Sequence, residues 1–129
     1  MDPASTPSVL IVEDNLFNQK VFKLYLKKLG YDCDISVNGK EAVEAVKSKF
    51  FELILMDIQM PVLDGLEATR LIRDWEESNR PDQKTRIIAV TANTVNVNQE
   101  ICREAGMDFY LKKPVGPTDL KKAIESVFL

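Results

Sequence analysis

Four short stretches of this chain place a chemically capable polar residue directly after an apolar run. Glu13-Asp14 follows Val9-Leu10-Ile11-Val12, Asp57 follows Leu53-Ile54-Leu55-Met56, and Thr91 follows Ile87-Ile88-Ala89-Val90; Lys113-Pro114 comes after the weaker run Phe109 to Leu111. Brought together, three carboxylates, a hydroxyl and an ammonium would form a small acidic pocket. Crowded carboxylates repel one another, and a bound divalent cation is the simplest compensation. Oxygen donors with room left for water and phosphate suit magnesium rather than zinc. A lysine and a threonine alongside supply the point charge and the donor hydroxyl that a phosphoryl oxygen accepts. The plainer use of such residues is capping, since an acid after a strand often caps the next helix, and Asp14-Asn15 is placed to do so.

The elements that would carry these residues follow from the apolar pattern. The three tetrads are continuous rather than alternating, which suits strands buried on both faces of a parallel sheet. Tyr31 to Val37 and Phe109 to Leu111 are weaker runs suited to flanking strands. Between them, Phe22, Tyr25, Leu26 and Leu29 repeat at helical spacing and stop at Gly30. Glu41 to Lys47, Gly65 to Glu77 (with Leu66, Ala68, Leu71, Ile72 and Trp75), Val95 to Ala105 and Thr118 to Val127 read as further helices. Asn38-Gly39 is a hairpin signal, but the helical pattern after it demotes that reading. Strict strand–helix alternation with right-handed crossovers predicts a (βα)5 doubly wound, five-stranded parallel sheet. Its functional crevice lies outside the carboxyl ends of the strands, where the four polar positions fall.

Composition removes several alternatives. At 129 residues with 45% hydrophobic and 29% charged content, the chain has the size and balance of one globular domain. Met1 to Ser8 reads as a disordered lead or cloning remnant, leaving residues 9 to 129 as the domain. A net charge of −3 with lysines scattered among acids argues against a nucleic-acid surface. No apolar run suits a membrane span, and no signal-peptide pattern opens the chain. Cys33 and Cys102 form no metal or redox motif and read as reduced thiols of an intracellular protein. The chain holds no histidine, so it has neither a Ser-His-Asp nor a Cys-His nucleophile, nor a phosphohistidine of its own. It also lacks GxxxxGK and GxGxxG loops.

The ordered set Val12-Glu13-Asp14-Asn15, Met56-Asp57-Ile58-Gln59-Met60-Pro61 with Asp64-Gly65, Ala89-Val90-Thr91-Ala92, and Ala105-Gly106-Met107-Asp108 running to Lys113-Pro114 resembles the receiver (response-regulator) family. The resemblance covers Val9 to Phe128 and implies a flavodoxin-like architecture. Asn18-Gln19-Lys20-Val21, Leu66-Glu67-Ala68-Thr69-Arg70 and Thr91-Ala92-Asn93 with Cys102 look like receivers of hybrid histidine kinases and multistep phosphorelays.

The resemblance implies a role for each position. Asp57 is the phosphoacceptor. Glu13, Asp14, Asp57 and the backbone carbonyl of Gln59 hold magnesium, for which manganese substitutes, with Glu13 in place of the more usual Asp. Lys113 pairs with the phosphoryl group and Lys112 is a decoy. Thr91 is the switch hydroxyl and Tyr110 the switch aromatic, which fills the space that Thr91 vacates. Gln59 and Asn93 tune the lifetime of the acyl phosphate, and the Lys113-Pro114 bond is often cis in the family. The donor is a histidine kinase transmitter or a histidine phosphotransfer protein. The setting is cytoplasmic without membrane contact, and the domain is a monomer or a weak phosphorylation-dependent dimer. It promotes its own phosphotransfer and dephosphorylation rather than acting as an independent enzyme, either alone or as part of a hybrid kinase.

A second apolar row on the first helix, Phe17, Val21 and Leu24, is either a broad core contact or an exposed docking strip with Asn18 at the rim. Two rival functions stay in view. A pseudo-receiver would keep the fold as a protein-binding module without phosphorylation. A hydrolase with an aspartyl nucleophile commonly needs a second Asp two residues on, where this chain has Gln59.

Overall fold

The computed structural model describes residues 8–92 and 98–128. Ten elements alternate along them: β1 (Ser8–Val12), α1 (Leu16–Lys28), β2 (Asp32–Ser36), α2 (Gly39–Ser48), β3 (Leu53–Asp57), α3 (Gly65–Asn79), β4 (Arg86–Thr91), α4 (Gln99–Ala105), β5 (Phe109–Lys112) and α5 (Pro117–Phe128). All neighbouring strands pair in parallel, in the order β2-β1-β3-β4-β5. The two weak apolar runs are the sheet's edges, and the three tetrads are its centre.

The tetrads are continuous because each strand feeds two cores. Leu10, Val12, Ile54, Met56, Ile87 and Ala89 pack with Ala42 and Val46 of α2, Ala68 and Ile72 of α3, and Cys102 of α4. The alternate residues Val9, Ile11, Leu53, Leu55, Ile88 and Val90 pack with Phe22 and Leu26 of α1 and with Leu120, Ala123 and Ile124 of α5. Side chains alternate along a strand, so a sheet covered on both faces needs apolar residues at every position. Truncating a fully buried one such as Leu55 to Ala costs about 2–5 kcal/mol.

Local chemistry sets where the helices begin and end. Asn15, Asn38, Asp64 and Asn98 cap α1, α2, α3 and α4, each accepting the N–H three residues on. Asn38-Gly39 therefore starts a helix and does not turn a hairpin. Asn15, not Asp14, is the cap of α1, which leaves the Asp14 carboxylate uncommitted to that helix. Gly30 and Gly106 end α1 and α4 at φ +91° and +109°, a left-handed conformation that glycine adopts without strain.

Some expectations shift. Leu71, read as a core position of α3, is exposed, while Glu76 on the same helix is buried. α3 and α5 run slightly further than the apolar pattern indicated, because helix ends need only backbone partners and not core contacts. Residues 95–97 of the expected fourth helix lie outside the described residues, as does Asn93. Among the described residues no helix is long and apolar enough to cross a membrane. Both cysteines are free thiols, Cys33 half-buried and Cys102 buried.

Candidate functional site at the carboxyl ends of the strands

β1, β3 and β4 deliver their polar residues to one rim. The Glu13 N–H donates to Ser36 O at 3.0 Å, continuing the β1–β2 ladder by one residue before the chain turns into α1. Asp57 and Thr91 are the last residues of β3 and β4, both buried. Lys113 directly follows β5, and its N–H donates to Thr91 O at 2.8 Å. The Lys113-Pro114 bond is cis. Gly65 permits the return from β3 into α3, since a Cβ there would lie 2.3 Å from Asp57 O.

The side chains converge. Glu13, Asp14 and Asp57 bring one carboxylate oxygen each within 4.8 Å of one another. The Lys113 ammonium donates to Glu13 Oε1 at 2.8 Å and stands 3.5 Å from Asp57 Oδ2. Lys112 is exposed on the strand itself, so only the second lysine enters the pocket. Gln59 N–H reaches Asp57 Oδ1 at 3.3 Å, and Asn15 N–H donates to Glu13 Oε2 at 3.1 Å. Asp14 and the Gln59 side chain face solvent.

The two buried carboxyls diverge in acidity. Burial pushes Glu13 up, but the Lys113 hydrogen bond, the Asn15 N–H and the Lys113 charge outweigh it and hold the carboxyl below its usual range. Asp57 goes the other way, pushed up to about 7 by burial first and by the Glu13 charge second, with only partial relief from Lys113. One ammonium thus faces three carboxylates and satisfies mainly one of them. That surplus, with hard oxygen donors and one exposed side, is the donor chemistry that fits magnesium. Glu13, Asp14 and Asp57 are the side chains able to hold it.

Thr91 continues the row of Ile87 and Ala89 on the face covered by α3 and α4. Tyr110, paired in register with Ala89, is half-buried against that same core. With Cys102 and Met107 it lines a groove of about 200 Å³ beside α4. On the opposite face, Phe17, Asn18, Val21 and Tyr25 of α1 line a groove of about 480 Å³ with Ala92, Lys113 and Pro114. Phe17 is 73% exposed and Leu24 is exposed too, while Val21 and Asn18 are half-buried. The second apolar row of α1 therefore does not belong to the core; that place is taken by Gln19, Phe22 and Leu26.

Two neighbours of the site escaped the sequence reading. Gln19 is buried, and its carboxamide donates to Glu13 O at 2.7 Å. The only signal for it was a polar residue in phase with Phe22 and Leu26. Val62, in the β3–α3 loop, is exposed with φ +72°, and Leu63 N–H donates to Pro61 O across it at 2.8 Å. A β-branched residue in so tight a three-residue turn is strained, and no sequence signal marks it.

Known proteins share this arrangement. The family description "Response regulator receiver domain" matches residues 9–125. Histidine kinase 5 of Arabidopsis thaliana is 41% identical over 94% of the chain, which spans 16% of that relative's length. Hybrid signal transduction histidine kinase F of Dictyostelium discoideum is 44% identical over 84% of the chain, which spans 10% of it. Among solved structures, the receiver domain of sensor histidine kinase PA1611 from Pseudomonas aeruginosa superposes with a TM-score of 0.82 at 38% identity, covering 95% of this chain and 97% of that one. It carries a magnesium ion coordinated in its active-site cleft. The receiver domain of the Saccharomyces cerevisiae response regulator Ssk1, crystallised with the histidine phosphotransfer protein Ypd1, gives 0.84 at 37% identity over 93% and 88% of the two chains. With its sheet order, its acidic cluster and its lysine beside a buried aspartate, this chain belongs to the response regulator receiver domain family.

Proposed function

We propose that Asp57 accepts a phosphoryl group from a phosphohistidine on another protein, and that the resulting charge switches the α4–β5 face. The observation that carries this reading is the buried Asp57 carboxylate, crowded by Glu13 and Asp14 and served by one ammonium. A carboxylate is a weak nucleophile, so position and charge neutralisation must supply the rate. Asp57 Oδ attacks phosphorus, the phosphorus–nitrogen bond breaks, and its electron pair returns to the donor's imidazole. Lys113 follows the charge from the carboxylates onto a phosphoryl oxygen. Glu13, Asp14, Asp57 and the Gln59 carbonyl would hold magnesium, which would neutralise the remaining phosphoryl charge.

The product carries roughly two negative charges at the end of β3. The Thr91 hydroxyl turns toward them, and Tyr110 takes the space beneath α4, so a local charge biases a two-state face. Gln59, whose side chain faces solvent beside Asp57, and Asn93 set how readily water reaches the acyl phosphate. The relatives named as histidine kinases and the Ssk1–Ypd1 complex support a kinase or phosphotransfer partner. The groove of Phe17, Asn18 and Val21 opens beside Lys113 and Ala92, where a partner helix carrying the phosphohistidine would lie.

A small phosphodonor with magnesium should add one phosphoryl mass to the parent chain and none to Asp57→Asn. An adduct of equal yield on the variant would overturn the assignment. Phe17→Ala should slow transfer from a protein donor about tenfold and leave the small-donor rate and melting temperature unchanged. Equal slowing with both donors would return Phe17 to a role within the domain.

A further inference from the structure

We infer that Gln19 is a positioning residue of the acidic site, resting on the reading above that Glu13, Asp14 and Asp57 hold magnesium. α1 buries three side chains, Gln19, Phe22 and Leu26, along one stripe. Two are apolar, as a core stripe requires. The third is a carboxamide, which loses hydration on burial and repays that only through a specific partner. Its partner is the main-chain carbonyl of Glu13, 2.7 Å from Nε2.

That carbonyl belongs to the residue where the chain leaves the sheet. The Glu13 N–H is already held by Ser36 O, and the Glu13 carboxylate by Asn15 N–H and Lys113 Nζ. Gln19 fixes the remaining polar atom, and with it the peptide plane joining Glu13 to Asp14. Asp14 hangs from the N–H side of that plane, so the plane bears directly on where its exposed carboxylate points. An apolar residue in the same stripe would leave the Glu13 carbonyl without this donor. Gln19 shares α1 with Phe17, Asn18 and Val21 and ties that helix to the acidic pair through Glu13 O.

Magnesium binding and melting temperature, measured on the same samples, separate positioning from packing. Gln19→Met keeps the volume and loses the donor; it should weaken magnesium about fivefold, the equivalent of one ordinary hydrogen bond at about 1 kcal/mol. Ile124→Val, in the same core layer, should lower the melting temperature and leave magnesium affinity unchanged. If Gln19→Met binds magnesium as tightly as the parent, or if Ile124→Val weakens it equally, the inference fails. The parent chain gives an independent reading: the Gln19 side-chain amide protons should shift in NMR spectra on adding magnesium, and silent protons there overturn the inference even if the variant does not fold. Failure of the parent itself to bind magnesium would instead remove the metal-site reading on which this one rests.

Discussion

The two ends of the sheet both gather charge, and they settle it differently. At the amino ends of β4 and β5, Arg73 of α3 uses all three of its nitrogens. It donates to Gly106 O at 2.9 Å, Thr85 O at 2.7 Å, Glu76 Oε1 at 2.7 Å and Asp108 Oδ2 at 2.9 Å. Lys84 adds a second cation to Asp108 at 3.1 Å, and the two acids also accept the N–H groups of Thr85 and Ile87. Two cations meet two acids, and the free strand ends are tied down. At the carboxyl ends, three carboxylates share one ammonium. The first arrangement is balanced in charge and leaves no deficit for a ligand ion to meet. The second is short of positive charge, and that deficit is its capacity to bind.

The contrast can be broken most forcefully from the balanced end. Arg73→Met should cost about 3 kcal/mol or more, because it leaves Glu76 buried without its cation and the half-buried Asp108 with Lys84 alone. Urea denaturation measures the loss; at temperatures where the variant stays folded, small-donor phosphorylation should persist. A loss below 1 kcal/mol would mean that this end is not held by charge.

The opposite sign is expected at the site. Asp57→Asn should stabilise the metal-free chain by about 1–2 kcal/mol at pH 8: it removes a buried charge whose pKa is pushed up to about 7 from the ordinary 3.8, a shift equivalent to about 4 kcal/mol, and the buried carboxamide keeps part of that desolvation cost. Above pH 7 the carboxylate is charged both folded and unfolded, and the fold bears the full penalty. Between pH 7 and 4 the folded parent takes up a proton ahead of the unfolded chain, so its stability rises as pH falls. The advantage of Asn therefore shrinks across that window and is gone below about 4. Melting curves in chelator across pH test this, and a pH-independent difference would refute the cause. Magnesium should narrow the gap by stabilising only the parent; at ten times its dissociation constant it adds about 1.4 kcal/mol.

The smallest effect sharpens the picture of the balanced end. Thr85 Oγ1 is the one buried side-chain polar atom without a partner among the described residues. Thr85→Val keeps the shape and removes that hydroxyl, so stability should stay level or rise by up to about 1 kcal/mol. A clear loss would reveal a hydrogen bond to water at that hydroxyl.

Much of this is legible in the sequence. Continuous tetrads announced two-faced burial, and each polar residue behind a tetrad reached the same rim, because parallel strands share one direction. What stayed hidden depended on pairs far apart in the chain. Arg73 meets Asp108 across 35 positions, and the buried Glu76 looks like any solvent-facing acid on α3. The phase of α1 was also ambiguous: Phe17, Val21 and Leu24 are as apolar as Phe22 and Leu26, and only the packing of α1 against β1 and β2 decides which row is covered. Gln19 went unread because a polar residue in a core phase has meaning only once its partner is known.

The ion pair between Glu13 and Lys113 spans 100 positions of the chain. Synthesis proceeds at about 5–20 residues per second, so Lys113 emerges roughly 3–11 s after Asp57. During that interval β1 and β3 can form, and the aspartate exists without the ammonium that the proposed transfer requires. On the proposed function, a nascent chain is thus deaf to its signal until β5 has been made, and responsiveness becomes a property that only the finished sheet possesses.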